Sequence, residues 1–156
     1  MQNQEFMKRA GELARENIAK GTGGPFGCVV AKDGKIIAEG ANHVTTANDP
    51  TAHAEVVAIR NACTALGSFQ LDGCEIYTSC EPCPMCLGAI YWARPKKVYY
   101  SSTKEDAKNI GFDDQFIYEE IAKKYADRSI PFLELKDEES GKAFADWVEK
   151  NNKVEY

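Results

Sequence analysis

Two short stretches carry the side chains that could do chemistry in this sequence, Thr51-Ala52-His53-Ala54-Glu55 and Glu81-Pro82-Cys83-Pro84-Met85-Cys86. One histidine and two cysteines form a ligand set of borderline softness, which suits zinc. Three protein ligands without a convincing fourth leave one coordination position for water, and this pattern is typical of a catalytic zinc site. Glu55 then remains as a carboxylate that can move protons without binding the metal.

Cys80 is the alternative fourth ligand, because Cys80-x-x-Cys83 is also a zinc-ligand spacing. A fourth protein ligand would close the site and make it structural. Cys80 precedes the predicted helix, so we expect its side chain to point elsewhere. Cys28 and Cys63 lie in apolar stretches and are expected to pack in the core, since free cysteine is commonly buried. The second histidine, His43, is expected in a solvent-accessible loop.

The ligand stretches must be positioned by an alternation of strands and helices. Two strand–helix–strand passages in succession indicate an α/β fold with a mostly parallel sheet and helices on both faces. Asp49 is predicted to cap the second helix, with Pro50 at its first position. The predicted elements, in chain order, are helix 2–20, strands 28–31 and 36–40 joined by a turn at 32–35, a polar loop at 42–48, helix 51–66, strand 75–78, a helix from 81 to 93, strand 98–100, helical pieces over 104–125 around Gly111, strand 130–135 and helix 138–150.

Helix geometry restricts how the two stretches can share one metal. In mid-helix, His53 and Glu55 would point about 200° apart, since each residue turns by about 100°. They can flank one ion only if both lie in the first turn and the ion sits beyond the helix end. Cys83 and Cys86 are three residues apart and therefore share a face of the other helix. Two helix N-termini would then point at the metal and favour the thiolate form of the cysteines.

The composition limits the classes of partner. The chain has 156 residues, which is most simply a single domain over 1–156, and 19 basic against 24 acidic side chains give a net charge of −5. A nucleic-acid-binding surface normally shows an excess of lysine and arginine, so no nucleic-acid partner is expected. No stretch approaches the roughly 18 apolar residues of a membrane span, so no membrane partner is expected. Charged residues near the N-terminus, where a signal peptide needs an apolar core, predict a cytoplasmic protein.

At these residues the sequence resembles the cytidine deaminase-like superfamily, whose zinc-dependent nucleobase deaminases carry H-x-E and P-C-x-x-C patterns. Over nearly its full length it is similar to the small bacterial guanine deaminases. Residues 23–27, 48–56, 78–94 and 111–114 fit that family, and the narrower resemblance is carried by residues 111–114 and 154–156, since the zinc motifs alone indicate only the superfamily. It implies a three-layer α/β/α fold with a five-stranded mixed sheet. It further implies a homodimer in which the C-terminal segment is exchanged and helps to close the partner's site.

The resemblance also implies roles for particular residues. The implied assignments are one Zn²⁺ per chain held by His53, Cys83 and Cys86, catalytic roles for Glu55 and Asp114, and purine-base contacts from Phe26, Asn42, Asp114 and Tyr156. Glu55 is the implied proton shuttle, and Asp114 is implied to meet the guanine edge. From the residues alone, Asn42 could equally be a turn residue, Phe26 a core residue, and Asp114 part of a helix cap.

The chemistry expected from this resemblance is hydrolytic deamination of guanine to xanthine and ammonia. A tRNA adenosine deaminase and a cytosine or cytidine deaminase are alternatives, because they share the zinc motifs. The acidic stretch from residue 137 to 156 argues against the tRNA alternative, since phosphate binding needs a basic surface. The alternative from another class is a non-enzymatic interaction domain stabilised by a structural zinc with four protein ligands.

Overall fold

The computed structural model describes residues 2–156, and the chain forms two compact units, Met1–Gln115 and Phe116–Tyr156. The elements of the first unit are α1 (Gln2–Lys20), β1 (Gly27–Lys32), β2 (Lys35–Ala41), α2 (Val44–Ala47), α3 (Ala54–Leu66), β3 (Glu75–Cys80), α4 (Pro84–Ala93), β4 (Lys97–Ser102) and α5 (Lys104–Asn109). The elements that follow are α6 (Gln115–Ala122), a 3-10 turn (Tyr125–Asp127) and α7 (Glu138–Glu149).

The sheet has the strand order β2-β1-β3-β4. β1 runs antiparallel to both β2 and β3, and β3 runs parallel to β4. The mixed sheet is therefore confirmed, but the prediction of mostly parallel pairing is wrong. The hairpin turn at Asp33-Gly34, where both residues have positive φ, reverses β2 against β1. β1 pairs with β2 on one side and with β3 on the other, and both pairs are antiparallel, so two of the three strand pairs are antiparallel.

The expected fifth strand is not formed by residues 2–156, whose strands number four. The segment predicted as that strand, 130–135, has no strand assignment. Pro131 lacks the N–H that a ladder needs. Leu133 and Leu135 are 88% and 92% exposed, so the apolar face that would hold a strand on a sheet is uncovered in this chain.

The first unit has three layers, as the resemblance implied. On one face of the sheet, α3 and α4 cover Cys28, Val30 and Ile76, which are fully buried. On the other face, α1 packs Phe6 and Ala10 against the intervening strand residues. The alternation follows from the period of two along a strand, which sends neighbouring side chains to opposite faces.

The helix that carries His53 begins later than predicted. α3 starts at Ala54, with His53 as its N-cap, whereas Asp49 accepts hydrogen bonds from the Thr51 amide (2.8 Å) and hydroxyl (2.7 Å) in a local turn. This turn replaces the predicted N-cap at Asp49. The packing of α3 on β2 is close: a Cβ added to Gly40 would lie 2.4 Å from the Ala54 carbonyl oxygen.

The helix that carries the cysteines also begins later than predicted. α4 starts at Pro84 rather than at Glu81-Pro82, and Cys83 is its N-cap with an extended backbone. A proline disfavours helical geometry in the residue before it, so Pro84 keeps Cys83 outside the helix. A further difference is that the loop predicted over 42–48 contains the short helix α2.

The second unit, Phe116–Tyr156, contains no buried residue, and all of its residues are described. Polar contacts join parts of this unit: Glu120 accepts hydrogen bonds from Lys123 Nζ (2.6 Å) and from the Ser129 amide (2.7 Å). Asp137 caps α7 by accepting from the Ser140 amide at 2.9 Å. Among residues 2–156, no helix combines the length and apolar character needed to cross a membrane.

Candidate metal centre

Two helix starts bring the predicted ligands together. His53 caps α3, Cys83 caps α4, and Cys86 lies in the first turn of α4. His53 Nδ1 is 3.6 Å from Cys83 Sγ and 3.5 Å from Cys86 Sγ. The three potential ligand atoms all lie within 4.8 Å of one another, and no other cluster of this kind occurs among residues 2–156.

These distances fit a tetrahedral zinc ion. With Zn–S near 2.3 Å and Zn–N near 2.0–2.1 Å, tetrahedral angles separate a nitrogen ligand from a sulfur ligand by about 3.6 Å. Cys80 is not part of the cluster, because its thiol donates to the Thr103 carbonyl at 3.6 Å. The predicted set of three protein ligands is therefore the set that the fold assembles.

The local environment favours a thiolate at Cys83. The neighbouring Cys86 thiol is the main cause of a lowered pKa at Cys83, and the hydrogen bonds with His53 and the Cys86 amide act in the same direction. The Cys86 amide donates to Cys83 Sγ at 3.5 Å. The hydrogen bond with Cys83 also raises the pKa of His53. Because zinc binds the thiolate form of cysteine, the helix start already prepares a negative ligand.

Glu55 is a buried carboxylate beside the metal cluster, a term used here for the three side chains of His53, Cys83 and Cys86. It is the second residue of α3 and is 6% exposed. Thr78 donates to Oε1 at 3.2 Å, and the Cys86 thiol donates to Oε2 at 3.4 Å. Burial is the main cause of its raised pKa. This environment is suited to a group that gains and loses a proton.

Thr78 is a contact that the sequence reasoning missed. It lies on β3 and is 1% exposed, on the same strand face as Ile76. The available signal is the alternation along 75–80, which places a hydroxyl where an apolar side chain would be expected. The Thr78 hydroxyl binds Oε1 of Glu55, and Oε2 faces the Cys86 thiol.

Phe26 and Asn42 lie next to each other, Phe26 just before β1 begins and Asn42 just after β2 ends. The Asn42 amide donates to the Phe26 carbonyl at 3.2 Å, and the Phe26 ring meets Phe112 edge-on at 4.9 Å between centroids. The His43 amide donates to the Ala52 carbonyl at 2.9 Å. This bond ties the segment that carries Asn42 to the segment that leads into His53.

The side-chain amide of Asn42 has a defined orientation. Its oxygen accepts from the Gly24 amide at 3.4 Å and from the Val44 amide at 3.3 Å. Because these two backbone donors occupy the oxygen, the NH₂ group is the end that is left to contact a ligand. Asn42 is 7% exposed, so this donor is held in a largely dry environment.

Asp114 lies within electrostatic range of the metal cluster. Burial is the main cause of its raised pKa, and the negative charge of Cys83 adds to it. Tyr156 belongs to the second unit and is 69% exposed, so its predicted role stays a prediction.

Glu81 is a second residue that the sequence reasoning did not single out. Its amide donates to the Ser102 carbonyl at 2.8 Å, and its Oε2 accepts from the Lys104 amide at 3.1 Å. These two bonds fix the cysteine loop to the junction between β4 and α5. The sequence gives no clear signal for this, because an acidic residue before a proline is equally expected as an exposed loop residue.

Comparison with known proteins agrees with this site. Residues 1–102 match the model of the cytidine and deoxycytidylate deaminase zinc-binding region. A guanine deaminase from Bacillus subtilis is 59% identical over 156 residues, covering 100% of both chains. The crystal structure of guanine deaminase from Bacillus subtilis superposes with a TM-score of 0.95 at 59% identity, covering 98% of each chain.

A more distant relative is named for a different activity. A tRNA-specific adenosine deaminase from Aquifex aeolicus is 41% identical over 102 residues, which is 65% of this chain and 67% of the relative. The similarity is thus shared across deaminases in the zinc-binding region and extends to the whole chain for the Bacillus guanine deaminase. The chain belongs to the zinc-dependent cytidine and deoxycytidylate deaminase family.

Proposed function

We propose that this protein is a guanine deaminase that hydrolyses guanine to xanthine and ammonia. The observation that carries the proposal is a buried carboxylate, Glu55, beside a zinc-fitting cluster with three protein ligands. The full-length similarity to a guanine deaminase at 59% identity supports guanine over other nucleobases. A structural zinc with four protein ligands is not supported, because Cys80 is turned to Thr103.

We assign the metal ligands as His53, Cys83 and Cys86. When bound, zinc lowers the pKa of a coordinated water and so supplies the nucleophile of hydrolytic deamination. Glu55 accepts one proton of that water and delivers it to the ring nitrogen next to the attacked carbon. It then takes the remaining proton of the added hydroxyl group and gives it to the departing amine, which leaves as ammonia. Its raised pKa supports this cycle, because a carboxyl group whose pKa lies closer to neutrality both accepts and donates protons readily.

We assign substrate recognition to four residues. Asn42 donates its NH₂ group to an acceptor of the purine, and Phe26 packs on the ring. Asp114 accepts from the N–H groups at the amidine edge of guanine, assists the proton transfers there, and thereby favours guanine over adenine. Tyr156 closes the site from the C-terminal segment. The support for Asn42 is the orientation of its amide, and the support for Asp114 is the influence of the cluster's charge on its pKa.

We further propose that the full chain acts as one domain in a homodimer, with exchange of the C-terminal segment. Leu133, Leu135 and Phe144 support it, because they are 88%, 92% and 81% exposed and need a cover. We place the protein in the cytoplasm. Its six cysteines, Cys28, Cys63, Cys74, Cys80, Cys83 and Cys86, are all free, as expected in a reducing compartment.

An ammonia-release assay tests the proposed function. The zinc-loaded protein is assayed with guanine, adenine, cytosine, cytidine and guanosine at matched concentrations. Guanine should be turned over with a kcat/KM at least about 100-fold above that for the other four, since misplaced hydrogen bonds are strongly penalised in a buried site. Turnover of cytosine without turnover of guanine would refute the substrate and leave the zinc chemistry intact.

The second candidate is a tRNA adenosine deaminase, favoured by the similarity to the Aquifex enzyme over 65% of this chain. Against it stands the net charge of −5, because tRNA binding draws on basic side chains. A filter-binding titration with tRNA at several salt concentrations distinguishes the two. Tight binding with a steep salt dependence, together with inosine formation, would show that tRNA and not guanine is the substrate.

A further inference from the structure

We propose that Asn17 is a positioning residue that holds the glycine-rich loop and Asn42 in the geometry needed for purine binding. This inference rests on the proposed function and adds a residue outside the deaminase motifs. Asn17 lies near the end of α1 and is 3% exposed. An amide that is buried on a helix is costly unless its donors and acceptor are all used, so its partners are informative.

The side chain of Asn17 joins three separate points of the site. Its Nδ2 donates to the Gly24 carbonyl at 2.8 Å and to the Asn42 carbonyl at 2.8 Å. Its Oδ1 accepts from the Thr22 hydroxyl at 2.5 Å. Two donors and one acceptor of a single amide therefore link α1, the loop and the segment after β2. We call these three hydrogen bonds the clamp.

The loop passes so close to Asn42 that this link leaves little freedom. A Cβ added to Gly23 would lie 2.0 Å from the Asn42 carbonyl oxygen and 3.0 Å from Asn17 Nδ2. The first distance is far below van der Waals contact, so residue 23 has no room for a side chain. The backbones at Gly23 and Asn42 are thus already in contact, and Asn17 hydrogen-bonds to both of these segments.

The link bears on the substrate through the orientation of Asn42. The Gly24 amide donates to Asn42 Oδ1, and the Gly24 carbonyl accepts from Asn17. Asn17 therefore holds the backbone of Asn42 and the carbonyl group of Gly24, the residue whose N–H orients the Asn42 side-chain amide. Without the bonds from Asn17, the Val44 amide remains to orient the Asn42 side chain, but the Gly24 amide is no longer held in place. The Asn42 NH₂ group is then less firmly directed, while His53, Cys83 and Cys86 keep their positions at the starts of α3 and α4.

The test compares Asn17→Ala with a matched control, Asn61→Ala. Asn61 also donates from its side chain to a backbone carbonyl, Glu39 O at 2.9 Å, but it lies on α3 and its bond does not involve the loop. Asn17→Ala should raise KM for guanine about tenfold with kcat changed less than about threefold, an effect the size of a lost hydrogen bond. Asn61→Ala should leave both constants unchanged. Zinc content should equal that of the wild type in both variants.

A double-mutant cycle separates positioning from general stability. In an Asn42→Ala background the substrate contact is gone, so Asn17→Ala should add less than about a twofold further rise in KM. An equal, independent rise in both backgrounds would overturn the inference. If Asn17→Ala folds poorly, Thr22→Val removes the hydroxyl bonded to Asn17 Oδ1 and should raise KM about threefold. An unchanged KM in a folded Thr22→Val protein would also count against the clamp.

The cycle also distinguishes failure of the inference from failure of the proposed function. If Asn42→Ala alone leaves guanine binding unchanged, the proposed role of Asn42 is wrong. If Asn42→Ala weakens guanine binding and Asn17→Ala does not, the role of Asn42 stands and the clamp does not.

Discussion

The two units of this protein differ in how their apolar residues are used. In the first unit, residues such as Val30, Ile76 and Tyr77 are fully buried between helices and sheet. In Phe116–Tyr156, no residue is buried, although Phe132, Leu133 and Leu135 are as apolar as those of the core. The first unit therefore holds the metal cluster on a packed framework, whereas the second unit carries apolar surface that its own residues do not cover.

The largest expected effect belongs to the first unit. Glu55→Ala should keep its zinc and lose about 10²–10⁴-fold in kcat for guanine, because proton transfer is removed while the ligands remain. The measurement pairs ammonia release with metal analysis. The control is Glu139→Ala, which removes an exposed carboxylate of the second unit and should leave kcat unchanged. Substantial activity in Glu55→Ala would remove Glu55 from the mechanism.

The next effect distinguishes the cysteines within the first unit. Cys86→Ser should bind zinc far more weakly, by more than about 100-fold, since a thiolate ligand is replaced by a poor one. Cys80→Ser should keep one zinc per chain, because Cys80 is hydrogen-bonded to Thr103. Competition with a chelator of known affinity measures both. Comparable zinc loss in the two variants would mean that the site has four protein ligands.

The third prediction concerns the uncovered surface of the second unit. Leu133→Asp combined with Leu135→Asp should convert a dimer into a monomer at micromolar concentration, because two charges would be buried in the proposed interface. Size-exclusion chromatography with light scattering measures the mass. The matched control, Lys136→Asp, adds a negative charge at a neighbouring exposed position and should leave the mass unchanged. If the wild type is already a monomer, the proposed homodimer is wrong.

The smallest effect is a pH dependence confined to the second unit. The hydrogen bond from Lys123, followed by those from Ser129, lowers the pKa of Glu120 to about 2. A carboxylate whose pKa is lower in the folded state adds stability above its unfolded pKa of about 4.3, and this stability is lost as pH falls toward 2. The faster Ser129 amide exchange caused by Glu120→Gln should therefore be largest at pH 6 and clearly smaller at pH 2, where about half of the carboxylate is protonated. An equal difference at both pH values would contradict this.

The proximity of the candidate metal ligands and of a carboxylate beside them could be predicted because it depends on residue type and short spacing. His53, Cys83 and Cys86 come together as expected, and Glu55 lies beside them. Asn17 could not be singled out in this way, since its partners Gly24 and Asn42 are seven and 25 residues away in the chain. A buried amide and an exposed one look the same in a sequence.

The fold was predicted well at the level of elements and less well at their boundaries and pairing. The effect of Pro84 on Cys83 displaced one helix start by a few residues, and the local turn at Asp49 displaced another. The direction of β1 relative to β3 depends on where the hairpin inserts, which local patterns do not encode. The expected strand at 130–135 is mostly apolar, but a strand also needs a neighbour to pair with.

The position of the ligands at helix starts has a consequence for folding. His53 and Cys83 cap different helices and are 30 residues apart in the chain. An ion that binds both residues needs the two helix starts side by side, and the unfolded chain does not offer this site, so binding of the ion stabilises the folded state. The metal that serves hydrolysis should thus also hold α3 and α4 together, so that the thermal unfolding midpoint rises with the concentration of free zinc.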